Sequence, residues 1–306
     1  DLAVIQSKTY RHYIEQFNKR DGDKDPEHAA FPNSEAWSFL SENCPFFDCP
    51  DKEVEKTYYY RWWLYRKHIK KKSGQFVISE FIKREPICCP AGHQLNEGRW
   101  LRNRRVLDDY VAHWFTKSKK GGDPRRYSFW AADACYGRFL ATGDKNWVIG
   151  VLPHLVENYK KWEENNHVGG NLFYQSDDKD GMEKSAGGAG LRPTINSYMY
   201  ADAMAISEIA SLAGKKKLSD EFKARAGRIK AAVQKNLWDK KDEFFKTVHR
   251  KQGRLVAVKT REAIGFIPWY FNLPDAGQQM GSRLINSLMT NCPDFFLICF
   301  LYNHHR

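Results

Sequence analysis

The stretches YSFWAADACYGRFLATGDKNWVIGVLPHLVENYKKWEE (residues 127–164) and NSYMYADAMAISEIASLAGKKKLSDEFKARAGRIKAAVQKNLWD (residues 196–239) decide the fold. Each stretch predicts a helix, a short turn at a glycine (Gly143 or Gly214) and a second helix. Each is followed by an aromatic strand or loop, NLFYQSDD after the first and EFFKTVHR after the second. The chain is therefore predicted to repeat a helical hairpin with a connecting loop.

The repeated hairpin predicts a mainly α-helical fold, because recurring helix pairs bury their apolar faces against neighbouring pairs. The interval is roughly 70 residues, longer than the roughly 34–47 residues of TPR or HEAT arrays. The loops between the hairpins are long, acidic and aromatic, which favours a closed α/α toroid with a central cavity over an open peptide-binding solenoid. Asp133 and Asp202 are predicted at matching places near the start of the first helix of each pair, where the helix dipole favours an acid.

The loop that joins the two hairpins is the candidate functional centre. Residues 174–202 read YQSDDKDGMEKSAGGAGLRPTINSYMYAD and contain four carboxylates: Asp177, Asp178, Asp180 and Glu183. A glycine-rich segment and the start of a helix follow them. A flexible acidic loop mounted on a helix suits carboxylate chemistry, because the helix supplies rigidity while the loop admits a substrate. The alternative is an exposed turn whose acids are only solvated.

The composition limits the kinds of partner that the protein is expected to bind. The chain has 306 residues, 42% hydrophobic and 28% charged, with a net charge of +12 carried in short lysine runs. These runs lack the density of a nucleic-acid arm, and no RNP, zinc-finger or P-loop signature is present, so we expect no nucleic-acid partner. No apolar run reaches the length of a membrane span. The start, DLAVIQSKTYRHY, is not a signal peptide and leaves the compartment open.

The cysteines favour buried thiols over a metal site. Their number, seven, is odd and does not indicate a complete disulfide framework. Cys44, Cys49, Cys88 and Cys89 with His93 could be arranged around a metal, but the spacing is not that of a zinc knuckle. We therefore expect no metal and no cofactor.

Further elements are predicted on either side of the two hairpins. An aromatic helix is expected to be capped by Asp51 and stopped by Gly74, with the lysine run 67–72 at its end. On this helix Trp62 and Trp63 are explained equally well by core packing and by sugar stacking. The other predicted elements are helices at 7–19, 34–43, 94–115 and 278–289, a strand at 76–81 and a loop in TREAIGFIPWYFNLPDAG.

Seven segments together resemble the MGH1-like glycoside hydrolases of the six-hairpin (α/α)6-barrel superfamily, relatives of the trehalase and processing α-glucosidase families. The segments are FFDCPDKEVEKTYYYRWWLYRKHI, FVISEF, CPAGHQLNEGRWLR, YSFWAADACYGRFLATGD, DDKDGMEKS, RPTINSYMYADAMAI and REAIGFIPWYFNLPD. They cover about residues 40–276. The resemblance implies a single (α/α)6-barrel domain over residues 1–306 that hydrolyses an O-glycosidic bond, with inversion and an oligosaccharide or glycoside substrate.

The resemblance also implies site residues. The relatives carry their general acid in a segment that DGMEKS matches, which assigns this role to Glu183, with Asp180 as the alternative. The residues implied in sugar binding are Arg61, Trp62, Trp63, His93, Glu97, Arg192 and Tyr198. Glu262 is a weaker candidate for a second carboxylate, with a structural salt bridge as the alternative.

The resemblance fades after about Asp275, where the relatives carry their general base. This predicts a barrel that is incomplete at the C-terminus and an uncertain activity. Two other functions remain open: a non-catalytic carbohydrate-binding remnant and an α-helical-repeat interaction protein.

Overall fold

The computed structural model describes residues 7–21, 29–116, 122–182 and 184–275. The chain divides into two compact units. The first unit contains Asp1–Pro124 and Ala134–Trp147, and the second contains Arg125–Asp133 and Val148–Arg306. The predicted helix at 278–289 lies outside the described residues.

The first unit is built from helices and one two-stranded antiparallel ribbon. Its elements are α1 (Arg11–Arg20), α2 (Ala36–Asn43), α3 (Lys52–His68), β1 (Ile69–Lys72), β2 (Gln75–Ile78), α4 (Ala91–Gly98) and α5 (Arg105–Phe115), with short 3-10 turns at Ser7–Tyr10 and Asn33–Glu35.

Helix α3 begins as predicted but ends earlier. The Asp51 carboxylate accepts hydrogen bonds from the backbone N–H groups of Glu53 and Val54, at 3.0 and 3.2 Å. The helix ends at His68, and the last lysines of the run instead form β1, which pairs with β2. The prediction that Gly74 stops the helix is wrong: Ser73 and Gly74, with φ of 50° and 79°, form the turn of this ribbon.

The single helix predicted over 94–115 is also wrong, because α4 and α5 are separated by residues 99–104. The connection is attached to the C-terminal end of α2. The backbone N–H of Arg102 donates to the Asn43 carbonyl at 3.0 Å, and the N–H of Asn103 donates to the Asn43 side-chain oxygen at 3.2 Å. These long-range hydrogen bonds satisfy groups that a continuous helix would have bonded internally.

The second unit is centred on a helical hairpin. From Val148 onward its elements are most of α7 (Lys145–Asn166), α8 (Pro193–Leu212), α9 (Lys216–Asn236), β3 (Trp238–Asp239), β4 (Phe244–Phe245), β5 (Val248–Lys251), β6 (Arg254–Ala257) and α10 (Ile267–Tyr270). Helices α6 (Ala131–Thr142) and α7 (Lys145–Asn166) each contribute residues to both units. The strands form two antiparallel ribbons, β3–β4 and β5–β6.

Both hairpin turns are where the sequence predicts them. Gly143 and Gly214 each have a φ of 69°, a conformation that costs glycine little. Pro193 stands at the first position of α8, where its missing N–H removes no hydrogen bond. Helix α8 is buried along most of its length and packs against α9, where the Ser207 hydroxyl donates to the Ser219 carbonyl at 2.9 Å.

The described residues are mainly helical, which confirms the predicted secondary-structure class. The segment TREAIGFIPWYFNLPDAG, predicted as a loop, contains a 3-10 turn at Ala263–Phe266 followed by α10. None of the helices in the described ranges combines the length and the apolar composition needed to cross a bilayer.

Asp202 does not lie at the start of its helix, and the predicted match with Asp133 is wrong. Asp202 is in the middle of α8, 4% exposed, and its carboxylate accepts hydrogen bonds from the backbone N–H groups of Ala132 and Asp133 at 2.9 and 3.1 Å. It therefore caps the N-terminus of α6 from another helix. Burial, opposed by the hydrogen bonds from these N–H groups, raises the pKa of Asp202 well above its ordinary value.

Asp202→Ala is expected to destabilise the protein by about 1–3 kcal/mol, because it leaves two buried N–H groups without an acceptor. Urea unfolding followed by circular dichroism measures the change. Asp202→Asn is the matched control, since it keeps an oxygen acceptor of the same size and has no charge to desolvate. Equal stability of the Ala and Asn variants would contradict the capping role.

Candidate active site

The acidic loop lies in the second unit, between α7 and α8. Its carboxylates begin on a 3-10 turn, Asp177–Asp180, which ends at Gly181 in a left-handed conformation with φ 78°. Glu183, the predicted general acid, lies outside the described residues. The contacts of the loop on both sides of it are defined.

A single buried arginine holds the loop together. Arg192, at 0% exposure, donates to both oxygens of Asp180, through Nε at 2.7 Å and Nη2 at 3.0 Å. Its Nη1 donates to Asp177 at 3.1 Å, to the Ser185 hydroxyl at 2.7 Å and to the Gly188 carbonyl. Residues before and after position 183 are therefore attached to one guanidinium, whose planar fork suits such bidentate contacts.

Both carboxylate oxygens of Asp180 accept hydrogen bonds from neighbouring residues of the loop and of α8. Besides Arg192, its carboxylate accepts from the backbone N–H of Met182 at 3.2 Å and from the hydroxyl of Thr194. Its side chain is 0% exposed. This geometry favours a role in positioning the loop, whereas its predicted role as the alternative acid stays a prediction.

Asp177 stabilises the second half of the loop. One of its oxygens accepts from the backbone N–H of Ser185 at 3.1 Å and from the Ser185 hydroxyl at 2.6 Å. These hydrogen bonds, together with the charge of Arg192, lower the pKa of Asp177. The loop therefore carries an ionised carboxylate that is already paired.

Gly187 is held from two sides by residues far along the chain. Its N–H donates to Glu262 Oε2 at 3.0 Å, and its carbonyl accepts from His249 Nε2 at 2.7 Å. Because a carbonyl only accepts, His249 carries a proton on Nε2. A Cβ at position 187 would meet Glu262 Oε2 at 2.5 Å and Thr247 Cβ at 2.9 Å, so a larger residue would displace these neighbours. Sequence reasoning missed His249, since nothing local marks it.

Glu262→Ala is expected to speed amide hydrogen exchange in residues 184–190 while lowering overall stability by about 1 kcal/mol, because Gly187 loses its acceptor. Exchange measured by mass spectrometry on peptides of this loop tests it. Glu262→Gln keeps an oxygen acceptor and should exchange like the wild type. Unchanged exchange in the Ala variant would show that the contact does not hold the loop.

In the first unit the structure brings Arg61 and Glu97 together. Arg61 Nε and Nη2 donate to the two carboxylate oxygens of Glu97 at 3.2 and 2.8 Å. Burial raises the pKa of Glu97, against the lowering effect of the Arg61 charge. His93 stands four residues before Glu97 on α4 and is exposed, so both project from one face of that helix. An ion pair and a histidine on one helix face could bind the hydroxyl groups of a sugar.

The other predicted sugar-binding residues are buried. Trp62, Trp63 and Tyr198 are 5%, 1% and 6% exposed. The indole N–H of Trp63 donates to Asn18 at 2.7 Å, and Tyr198 packs against Trp130 and an adjacent phenylalanine. Together with the burial of Arg192, these contacts favour core roles. Their contact with a sugar stays a prediction.

A groove of about 330 Å³ lies between α1 and α3 of the first unit. It is lined by the rings of Phe17, Tyr60 and Trp63 and by the charged side chains of Arg20, Asp21, Glu53 and Lys56. Of the predicted site residues only Trp63 lines it, and Arg61, His93 and Glu97 do not. The groove is therefore distinct from the Arg61–Glu97 pair.

The described cysteines agree with the preference for buried thiols at Cys44, Cys88 and Cys135, whereas Cys49 and Cys89 are half-buried. Within the ranges that the structure describes, no group of three or more His, Cys, Asp or Glu side chains is placed to hold a metal.

The helical hairpins and the carboxylate loop that joins them agree with the helical fold that the sequence predicts. The sequence model described as "Mannosylglycerate hydrolase MGH1-like glycoside hydrolase domain" matches residues 83–292, which is more than half of the chain. The protein therefore belongs to the MGH1-like glycoside hydrolase family. The match extends beyond Asp275, where the resemblance was expected to fade.

Comparison with solved structures confirms the predicted (α/α)6 glycosidase class of fold. A chain described as a sialidase is similar, with a TM-score of 0.83 and 36% identity over 89% of this chain and 26% of the sialidase chain. A rhamnosidase from Klebsiella oxytoca, solved with rhamnose bound, has a TM-score of 0.55 and 12% identity over 86% of this chain and 55% of the rhamnosidase. The second likeness shows the fold alone.

A curated relative also matches part of the chain. It is an uncharacterized protein of Borreliella burgdorferi (strain B31), 28% identical over 141 residues, which are 45% of this chain and 29% of that protein. The chain thus spans less than a third of the length of this relative and of the sialidase. The prediction of a single domain over residues 1–306 stays a prediction.

Proposed function

We propose that the protein hydrolyses an O-glycosidic bond with inversion and that Glu183 is the general acid. Family membership supports the glycosidase class, and the match of DGMEKS to the acid-bearing segment of the relatives supports the residue. A glutamic acid can protonate a leaving-group oxygen when its surroundings raise its pKa enough to retain a proton.

The bracing of the loop by Arg192 carries this proposal. Asp180 and Ser185, on either side of position 183, both bind the same buried guanidinium. Gly187 is fixed from the other direction by Glu262 and His249. A catalytic group needs such support, because a displacement of even about 1 Å is costly for catalysis. A merely solvated turn needs none of these contacts.

We propose separate roles for the remaining predicted residues. Asp180 and Arg192 position the loop, and Trp62, Trp63 and Tyr198 support the cores of their units. In the first unit, Arg61, His93 and Glu97 form hydrogen bonds to the hydroxyl groups of a sugar. The family match favours this enzymatic function over the helical-repeat interaction protein.

The substrate is proposed only as a glycoside, because the names of the relatives differ in their sugars. The family description names mannosylglycerate, and the similar structures are described as a sialidase and a rhamnosidase. The test panel therefore contains α- and β-linked mannosides, rhamnosides, glucosides and sialosides, with mannosylglycerate among them.

Proton NMR of each reaction during the first turnovers reports both hydrolysis and the anomer formed first. Inversion predicts that the first product has the opposite anomeric configuration to the substrate, because one water attacks from the face opposite the leaving group. A first product with the substrate's configuration would refute inversion. Sugar binding with no hydrolysis anywhere in the panel would instead support the carbohydrate-binding remnant.

A further inference from the structure

Trp100 is the one tryptophan that is exposed to solvent among all ten in the chain, each of which the structure describes. Its exposure is 49%, although indole side chains are usually largely buried. It stands three residues after Glu97, in the connection between α4 and α5. A single exposed apolar side chain is not unusual, so the contacts that hold it decide what it can do.

The backbone around Trp100 is fixed. The N–H of Leu101 donates to the carbonyl of Gly98 at 2.9 Å, which places Arg99 and Trp100 at the centre of a tight turn. The next two residues are attached to Asn43 of α2. The exposed ring is thus presented from an ordered turn, as a binding platform requires.

The indole ring of Trp100 is also held by a contact with the Arg99 side chain. The guanidinium carbon of Arg99 lies 5.0 Å from the centre of the Trp100 ring, within the range of a cation–π contact. The Nε atom of Arg99 is enclosed by protein, and the cation–π contact fixes the guanidinium beside the indole ring.

The polar groups next to Trp100 are placed by α3. Arg61 and Tyr65 are four residues apart and therefore lie on one face of α3. Arg61 pairs with Glu97, while the Tyr65 hydroxyl donates to the Gln94 carbonyl at 2.9 Å. A Cβ at Gly98 would meet the Tyr65 hydroxyl at 2.1 Å, so the end of α4 packs directly against α3. Glu97 lies at the end of α4 and Trp100 in the turn that follows, three residues later, so both are carried by this packed support.

We propose that Trp100 is the stacking platform for a pyranose ring and that Arg61, Glu97 and Arg99 bind the hydroxyl groups of the same sugar. The apolar C–H face of a pyranose covers an aromatic ring well, and its equatorial hydroxyls match charged donors and acceptors at the ring's edge. This assignment rests on the proposed glycosidase function. It replaces Trp62 and Trp63, which are buried, as the stacking surface.

Calorimetric titration of wild type, Trp100→Ala, Trp100→Phe and Tyr60→Ala with the sugar panel tests the proposal. Tyr60 is the matched control, because it is 42% exposed on α3 but lines the separate groove. We expect the Kd to rise about tenfold in Trp100→Ala and less than about threefold in Trp100→Phe, which keeps a ring. Tyr60→Ala should bind like the wild type.

The outcomes separate this proposal from the proposed function. A Kd of Trp100→Ala within about twofold of the wild-type value would contradict the stacking role of Trp100. So would a loss of affinity that appears in Tyr60→Ala instead. Neither result would contradict the proposed hydrolysis. Wild-type binding that Trp100→Ala weakens, without hydrolysis of any panel sugar, would support the platform and reject the hydrolase. Failure of the wild type to bind any panel sugar at about 10 mM would overturn both. Thermal unfolding confirms that each variant is folded.

Discussion

Glu183→Gln is expected to lower kcat by roughly 10²- to 10⁴-fold on a glycoside with a poor leaving group, with little change in KM. Glutamine has the shape of glutamic acid but no proton to give, so the leaving oxygen must depart without protonation. Steady-state kinetics measure the decrease in kcat on the panel glycoside with a sugar or glycerate leaving group that the wild type hydrolyses fastest. A decrease of less than about tenfold would remove Glu183 from the acid role.

The leaving group provides a sharper test than the size of the loss. A dinitrophenyl glycoside releases a stable phenolate that needs no proton, so the same variant should lose much less of its activity on this substrate. A structural defect would instead depress both substrates alike. The dependence of the loss on the leaving group therefore distinguishes proton donation from misfolding.

Two carboxamide variants of the same loop serve as comparisons. The Asp178 side chain is 57% exposed and, among the described residues, pairs with Lys179 and accepts from Ser176, so Asp178→Asn should leave kcat within about twofold. Asp180→Asn disturbs the bracing by Arg192 and should lower activity on both classes of leaving group. If Asp180→Asn shows the leaving-group dependence and Glu183→Gln does not, the two roles are reversed.

The helical hairpins could be predicted from the sequence because their signals are local. Gly143 and Gly214 mark turns that need a positive φ, and Asp51 caps a helix through hydrogen bonds to residues two and three positions later. Apolar periodicity and turn residues express preferences within one or two helical turns. Each of these features appears in the structure as the local sequence indicates.

The errors concern features that distant residues determine. The lysines of β1 suit a helix end, but pairing with β2 outweighs that preference. The break between α4 and α5 depends on Asn43, about 60 residues earlier. Asp202 has the sequence context of a helix-start acid, yet it caps α6 from the middle of α8. None of these partners lies within the span that a periodicity argument covers.

In the candidate site, too, local motifs could be predicted from the sequence, whereas contacts between distant residues could not. The cluster of carboxylates, the glycines and the Arg61 and Glu97 positions were visible as motifs, whereas their partners were not. His249 holds Gly187 across 62 positions and Glu262 holds it across 75. The exposure of Trp100 and the burial of Trp62 and Trp63 depend on how α3 packs, which residue type alone does not decide.

Arg192→Met is expected to destabilise the protein by about 3–5 kcal/mol, the largest stability effect among the substitutions considered. Methionine fills a similar volume but leaves the Asp180 carboxylate, at 0% side-chain exposure, without its cationic partner. It also removes the donors that bind Asp177, Ser185 and Gly188. Urea unfolding followed by circular dichroism measures the free energy.

Two variants separate the buried charge from other effects. Lys216→Ala breaks an exposed ion pair with Asp220 on α9, whose side chains are 87% and 61% exposed, and should change stability by less than about 0.5 kcal/mol. In the double variant Arg192→Met with Asp180→Leu, no buried charge is left alone, so much of the lost stability should return. The Ser185 and Gly188 contacts remain lost in it, so hydrogen exchange in residues 176–190 should stay fast. A single Arg192→Met variant within about 1 kcal/mol of wild type would show that the guanidinium does not brace the loop.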